Sequence, residues 1–138
     1  MSDLTYVNID ELKEGDTVGY CKYITVGWNN TFRYPIVYKR VIKRITPKRT
    51  KFILDDDTEL NVDSAKKLVV IDDEAQRQTS IAKVFSDLRS IGYRIENARR
   101  QGIYLIEKKL TDDELIEYHK VMKNIYDKYL GGKECWRL

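Results

Sequence analysis

Residues 51–62, Lys51-Phe52-Ile53-Leu54-Asp55-Asp56-Asp57-Thr58-Glu59-Leu60-Asn61-Val62, hold two short β-prone segments on either side of an acidic turn. Phenylalanine, isoleucine and valine are enriched in strands, whereas a run of aspartates favours a turn. The stretch is therefore predicted as a compact β-hairpin.

Three more extended segments surround this hairpin: Thr17–Val26, Ile36–Ile45 and Leu68–Ile71. Pro35 precedes the second of them, which suggests an edge or strand-start position because proline cannot donate to a ladder. Five short strands at close spacing, with almost no helical periodicity, predict a strongly bent sheet or barrel. The pattern over roughly residues 8–71 resembles the SH3-like small β-barrels common in bacterial and phage proteins, which bind nucleic acid, peptides or no known ligand.

The second half of the chain changes period. From Asp72 to Ile91, apolar residues recur at three- and four-residue steps, which predicts a helix capped by Asp72 or Asp73 and ended by Gly92. A β-hairpin is predicted next, with strands at 93–97 and 103–107 and a cationic tip. Thr111-Asp112-Asp113-Glu114 is a capping box that opens a second helix. Its apolar face holds Leu115, Tyr118, Met122, Ile125, Tyr126 and Tyr129.

Residues 79–96 followed by Arg99-Arg100-Gln101-Gly102-Ile103-Tyr104-Leu105-Ile106 resemble the recognition helix and wing of winged helix-turn-helix repressors of the WYL-domain type. The match covers about residues 78–115. It departs from that family at Val84-Phe85-Ser86, where a basic residue is usual, and the two preceding helices are missing. The resemblance implies DNA binding. The same segment also fits a helix packed on a hairpin without such a role.

The predicted fold is thus α+β. An N-terminal SH3-like small β-barrel, residues 1–71, is followed by a helix–β-hairpin–helix module, residues 72–138, that packs on it. A length of 138 residues suits one domain or two small modules.

Charge is unevenly distributed in a chain whose formal net charge is +3. Residues 33–51 contain eight basic residues and no acidic one, whereas residues 55–63 contain five acidic residues. The two blocks could pair across strands or lie on opposite rims. The candidate contacts of the basic block are Arg33, Lys39, Arg40, Lys43, Arg44, Lys48, Arg49 and Lys51.

Further candidate contacts lie in the second module. Thr79, Lys83 and Ser86 lie opposite the apolar side of the first helix, where small donors and a cation suit phosphates or base edges. Arg99 and Arg100 at the hairpin tip could enter a narrow minor groove. Tyrosines Tyr20, Tyr23, Tyr34 and Tyr38, interleaved with cations in the barrel, could stack on unpaired bases or anchor a protein interface.

Catalysis and cofactor binding are not expected. His119 is the only histidine and is predicted to be half-buried and structural. Asp55-Asp56-Asp57 lacks the glycine and the final glutamate of a calcium loop, and no phosphate-binding glycine loop occurs. Cys21 and Cys135 are too far apart in sequence for a metal spacing and are expected to be reduced thiols. No cofactor and no metal are predicted.

Two functions remain open. The first is a non-catalytic, regulatory nucleic-acid-binding protein, with DNA as the favoured ligand. The second is a phage or mobile-element inhibitor or adaptor that occupies a site on a host protein, either a nuclease, in the manner of anti-CRISPR proteins, or a polymerase. No membrane insertion is expected, because the longest aliphatic run is only Leu68–Ile71. A cytoplasmic setting is expected, because the N-terminus is acidic and lacks a basic-then-apolar leader. A homodimer is left open.

Overall fold

The computed structural model describes residues 3–102 and 106–131. Its α+β architecture begins with a four-stranded antiparallel sheet, curled into a half-barrel, in the order β1-β2-β3-β4. The strands are β1 (Thr17–Gly27), β2 (Asn30–Ile45), β3 (Lys51–Leu54) and β4 (Glu59–Asn61). The helices are α1 (Val62–Ala65), α2 (Asp73–Arg100) and α3 (Asp112–Tyr129), with short 3-10 helices at Ile9–Glu11 and Ile106–Lys108. The predicted α+β class is confirmed.

The hairpin predicted at 51–62 is present as β3 and β4. Phe52 pairs with Leu60, and Asp57 closes the turn with φ 68°. Phe52 and Leu60 are buried together with Val18 and Ile42, so the concave side of the sheet holds the core. Burying such side chains stabilises the fold by about 1.5 to 3 kcal/mol each.

The predicted fifth strand, Leu68–Ile71, is wrong as an extended strand. Among the described residues only Val69 pairs there, bridging Tyr6 on one side and Gly19 on the other. The amide of Gly19 donates to the Val69 carbonyl at 2.7 Å. A Cβ atom at position 19 would lie 2.6 Å from Cγ1 of Val37 and 2.8 Å from Cγ2 of Val69. Glycine is therefore required for this close approach.

The predicted hairpin after α2 is also wrong. Oδ1 of Asp72 caps the helix by accepting from the Ala75 amide at 2.9 Å, as expected. The helix then continues through Gly92 to Arg100, so the predicted first strand, 93–97, is helical. Residues 103–105 of the second strand lie outside the described residues, and Ile106–Lys108 is a 3-10 helix. The left-handed residue after the helix is Gly102, with φ 66°.

The chain divides into two compact units, Met1–Ser90 and Ile91–Leu138. In the first unit the beginning of α2 packs beside β2, where Oγ1 of Thr79 accepts a hydrogen bond from the Val37 amide at 2.9 Å. The Phe32 and Phe85 rings stack there with centroids 4.0 Å apart. Within β2, only Ile42–Ile45 pairs with β3. The contacts from α2 are made to the earlier part of β2, along the edge that β3 does not pair with. The SH3-like assignment and the module boundary at residue 72 stay predictions.

Candidate nucleic-acid interface

Three cations of the basic block are held by groups of the protein itself. Nε of Arg40 lies 3.3 Å from Oδ2 of Asp56, and Nζ of Lys43 lies 2.6 Å from Oδ1 of Asp57. Nη2 of Arg49 donates to the carbonyls of Ile9 and Leu12 at 2.7 and 3.0 Å. Arg40, Lys43 and Arg49 are therefore engaged within the protein, and their role as binding residues stays a prediction.

The strand register explains this neutralisation. Ile42 pairs with Leu54, and this brings the end of β2 beside the turn that begins at Asp55. Hydrogen bonds from Thr58 lower the pKa of Asp56, and the charge of Arg40 lowers it further. The acidic block thus pairs with only part of the basic block.

Three other cations share the face of the sheet opposite the core, which we call the outer face. Lys39 pairs with Gly19, and the next pair along the two strands is Arg40 with the core-facing Val18. Because side chains alternate along a strand, Lys39 lies on the outer face. A register shift lies between Ile42 and Arg44 of β2. As a result, Ile42 and Ile45 pair with the buried Leu54 and Phe52 of β3, and Arg44 pairs with Ile53 between them. Because side chains alternate along a strand, Arg44 lies on the outer face.

Lys51 lies on the same face, because it precedes the buried Phe52 on β3. Lys39, Arg44 and Lys51 are exposed, as is Lys48 in the loop between β2 and β3. Among the described residues these four side chains have no salt bridge to a carboxylate. Glu59, which pairs across from Ile53, is an acidic neighbour on this face. Of the predicted eight cations, three therefore lie on the outer face without a salt bridge among the described residues, and Lys48 lies likewise in the adjoining loop.

Arg33 belongs to a separate cluster of guanidinium groups and rings. Its Cζ lies 4.9 Å from the Phe32 ring centroid and 5.2 Å from that of Tyr34. Arg89 stacks on Phe85 at 5.7 Å, while its Nη1 donates to the Thr25 carbonyl at 2.8 Å. Sequence reasoning missed Arg89, because only the stacking of Phe85 on Phe32 brings it to this surface. Both arginines are exposed.

A cleft of about 450 Å³ opens beside β1. Tyr6 and Tyr23 are its exposed rings, with 62% and 47% of their surfaces accessible. Cys21 and Tyr23 alternate with the core-facing Tyr20, so they share the outer face with Lys39. Burial raises the pKa values of the Cys21 thiol and the Tyr23 hydroxyl. The lining residues are Leu4, Tyr6, Tyr20, Cys21, Tyr23, Leu60, Ser64, Lys67 and Leu68.

The candidate contacts on α2 are dispersed. The Thr79 hydroxyl oxygen accepts a hydrogen bond from the Val37 amide of β2, and its role as a donor to nucleic acid stays a prediction. Lys83 and Ser86 are exposed on the helix. Arg99 forms an ion pair with Glu107, and Nε of Arg100 lies 3.4 Å from Oε1 of Glu96. Both arginines lie in the last turn of a helix rather than at a hairpin tip, where they complement the helix dipole.

Other expected features have mixed outcomes. His119 is exposed, so its predicted half-buried position is wrong. In the described ranges, no three His, Cys, Asp or Glu side chains are grouped to hold a metal ion. Within those same ranges no helix has the length and apolar character needed to cross a membrane. Cys135 lies outside the described residues.

A comparison with known proteins finds no matching family model, no similar curated protein and no similar solved structure. The function of this chain must therefore be argued from its own residues.

Proposed function

We propose that this protein is a non-catalytic binder of single-stranded nucleic acid that uses the outer face of its sheet. The observation that carries the proposal is the placement of three unneutralised cations and the exposed Tyr23 on one face, beside a cleft that Tyr6 and Tyr23 line. Lys39, Arg44, Lys48 and Lys51 supply the charge, and Tyr6 and Tyr23 supply the rings.

The cations favour a linear polyanion. They follow the second half of β2 and continue into β3, so that charges recur along an extended backbone. Nucleic acid presents phosphates in the same linear manner, and each neutralised phosphate releases counterions. Four contacts to a single strand give a slope of about −3 in log K against log salt.

The tyrosines favour unpaired bases over a duplex. A base in a single strand offers its π-face to an exposed ring, and each such stack contributes about 1 to 3 kcal/mol. A duplex keeps its bases stacked on one another and would need an element that enters a groove. The predicted wing would have been that element, but Tyr93–Arg100 is helical and its two arginines are paired.

Fluorescence anisotropy with a labelled single-stranded oligonucleotide tests the charge contribution. In the triple variant Lys39→Ala, Arg44→Ala, Lys51→Ala, three phosphate contacts are lost, so the salt slope should fall to about −1. The matched control is Lys83→Ala, Arg94→Ala, Lys120→Ala, which removes the same residue types from exposed helix positions. Equal weakening by both variants would show a non-specific charge effect and reject the outer face.

The tyrosine contribution is tested in the same assay. Tyr23→Ala should weaken binding roughly 5- to 150-fold, the loss of one base stack, whereas Tyr23→Phe keeps the ring and the affinity. Tyr93→Ala is the control, since Tyr93 is an exposed tyrosine that belongs to α2 rather than to a sheet strand. If Tyr23→Ala binds as tightly as the unaltered protein, the cleft takes no base.

A protein-binding adaptor or inhibitor of a host enzyme is the second candidate. It is favoured by the apolar side chains that α2 and α3 leave exposed, such as Leu88 and Ile116. Binding through such residues depends less on salt than phosphate binding does. A partner bound equally well at low and high salt would favour this second function.

A further inference from the structure

α3 is an amphipathic helix whose apolar side is exposed in the part of the chain that the structure describes. The helix has 18 residues and none of them is buried. Its start is well specified, because Thr111 and Glu114 form a reciprocal capping box. A helix gains most of its stability from packing of its apolar face, so exposure of that face on every turn calls for a partner.

The spacing on this face indicates what kind of partner fits. Leu115, Tyr118, Met122, Ile125 and Tyr129 follow one another at steps of three, four, three and four residues. This is the a and d pattern of a coiled coil, which is met by another helix with the same repeat. All five side chains are exposed. A second copy of α3 carries the same repeat, because the two chains are identical.

The charges of α3 set the orientation. The first six residues contain four carboxylates and no Lys or Arg, whereas residues 120–129 contain three lysines and one aspartate. Two parallel copies would place like charges side by side. Two antiparallel copies place the acidic half of each helix against the basic half of the other, which is favourable at flanking positions of a coiled coil.

We propose that the protein forms a homodimer through an antiparallel pair of α3 helices. Leu115 then packs in the layer of the partner's Ile125, and Tyr118 in the layer of the partner's Met122. At the flanking positions Glu114 faces the partner's Lys128, and Val121 meets the partner's Val121. This pairing uses residues of neither the outer face nor the cleft, so it can be tested in the absence of nucleic acid.

Sedimentation equilibrium of the full chain over a wide concentration range tests the association. The unaltered protein should rise from monomer to dimer mass as its concentration increases. Met122→Lys places a charge in a central layer and should leave a monomer. Asn124→Lys is the matched control, because it adds the same charge at an exposed position outside the a and d repeat. An unaltered protein that stays monomeric overturns the proposal, as does a Met122→Lys dimer.

The orientation is tested by a charge reversal. Lys128→Glu would face Glu114 of the partner subunit and should weaken the dimer at least several-fold, with less weakening at high salt. Lys120→Glu makes the same charge change on the outward side of the helix and should leave the dimer intact. Equal dimer affinity for the two variants contradicts the antiparallel arrangement.

A third variant separates α3 from the other exposed stripe. Leu88→Lys alters α2, whose Val84, Leu88 and Ile91 also recur at steps of four and three residues and are exposed. The variant should dimerise like the unaltered protein. If Leu88→Lys abolishes the dimer and Met122→Lys does not, the interface lies on α2 and the proposal for α3 fails.

Discussion

Glu74 and Arg77 form a bidentate ion pair in the first turns of α2. Nη2 and Nε of Arg77 donate to the two carboxylate oxygens of Glu74 at 2.8 and 3.0 Å. The Gln78 amide donates to the same carboxylate at 2.9 Å. The hydrogen bonds from Arg77, followed by that from Gln78, lower the pKa of Glu74 to about 2. Arg77 also stacks on Tyr34 of β2, 5.4 Å from its centroid, so the pair connects helix and sheet.

Acid should therefore weaken the fold through Glu74. Its folded pKa, about 2, is lower than the ordinary value of 4.5, so its contribution is present above pH 4.5 and is lost as pH falls toward 2. Unfolding midpoints measured across this window should fall less in Glu74→Gln than in the unaltered protein. A carboxyl titration by NMR should place Glu74 near 2 and, in Arg77→Gln, return it toward 4.5. A Glu74 that titrates normally in the unaltered protein contradicts the bidentate pair.

The basic block shows what a sequence reveals about single residues. The absence of acidic residues in 33–51 correctly located a cationic strand, since Lys39, Arg44 and Lys51 are exposed on β2 and β3. The fate of Arg49 could not be predicted. It depends on a left-handed turn, with φ 55° at Arg49, that directs the guanidinium to carbonyls about forty positions upstream. Such pairings are set by tertiary structure rather than by local composition.

At the scale of elements, the length of α2 is decided by the residues that follow Gly92. A glycine inside a helix costs about 1 kcal/mol relative to alanine. The apolar repeat continues past it with Ile95 and Ala98, both partly buried, and Glu96 pairs with Arg100 one turn later. Because good helix formers occupy most of positions 93–100, the helix tolerates the glycine and ends near Gly102.

The continuity of α2 predicts opposite effects at Gly92, inside the helix, and at Gly102, just after its end. Gly92→Ala meets no atom within 4 Å and should raise the free energy of unfolding by up to about 1 kcal/mol. Gly102 has φ 66°, which alanine adopts only with strain, so Gly102→Ala should lower it by about 1 kcal/mol. Chemical denaturation of both variants checks the signs. A Gly92→Ala protein less stable than the original would indicate that the helix ends at Gly92.

The two halves of the chain differ in how well local patterns specify elements. The 51–62 hairpin could be predicted because an acidic turn and its flanking apolar residues are all adjacent in sequence. Residues 93–97, Tyr-Arg-Ile-Glu-Asn, alternate like a strand, and their helical repeat is visible only with Ile91 and Ala98. β2 begins at Asn30 rather than at the predicted Ile36, and two register shifts interrupt its pairing with β1 before Pro35.

At the scale of the whole molecule, two surfaces of different chemistry would serve two different contacts. The outer face is cationic and aromatic, whereas the exposed side of α3 is apolar. A dimer formed through α3 would carry two outer faces, so that one nucleic-acid strand long enough to reach both would bind with an effective concentration advantage. The sequence alone does not predict this combination, because Arg44 reaches the outer face only through the register shift in β2.

The most direct measurement is amide chemical-shift mapping by NMR during titration with a single-stranded oligonucleotide at low salt. Binding on the outer face should produce its largest shifts at Cys21–Tyr23 on β1, at Lys39 and Arg44 on β2, and at Lys51 on β3. Shifts concentrated instead around Lys83 and Ser86 on α2, or no shifts at any oligonucleotide concentration, would contradict it.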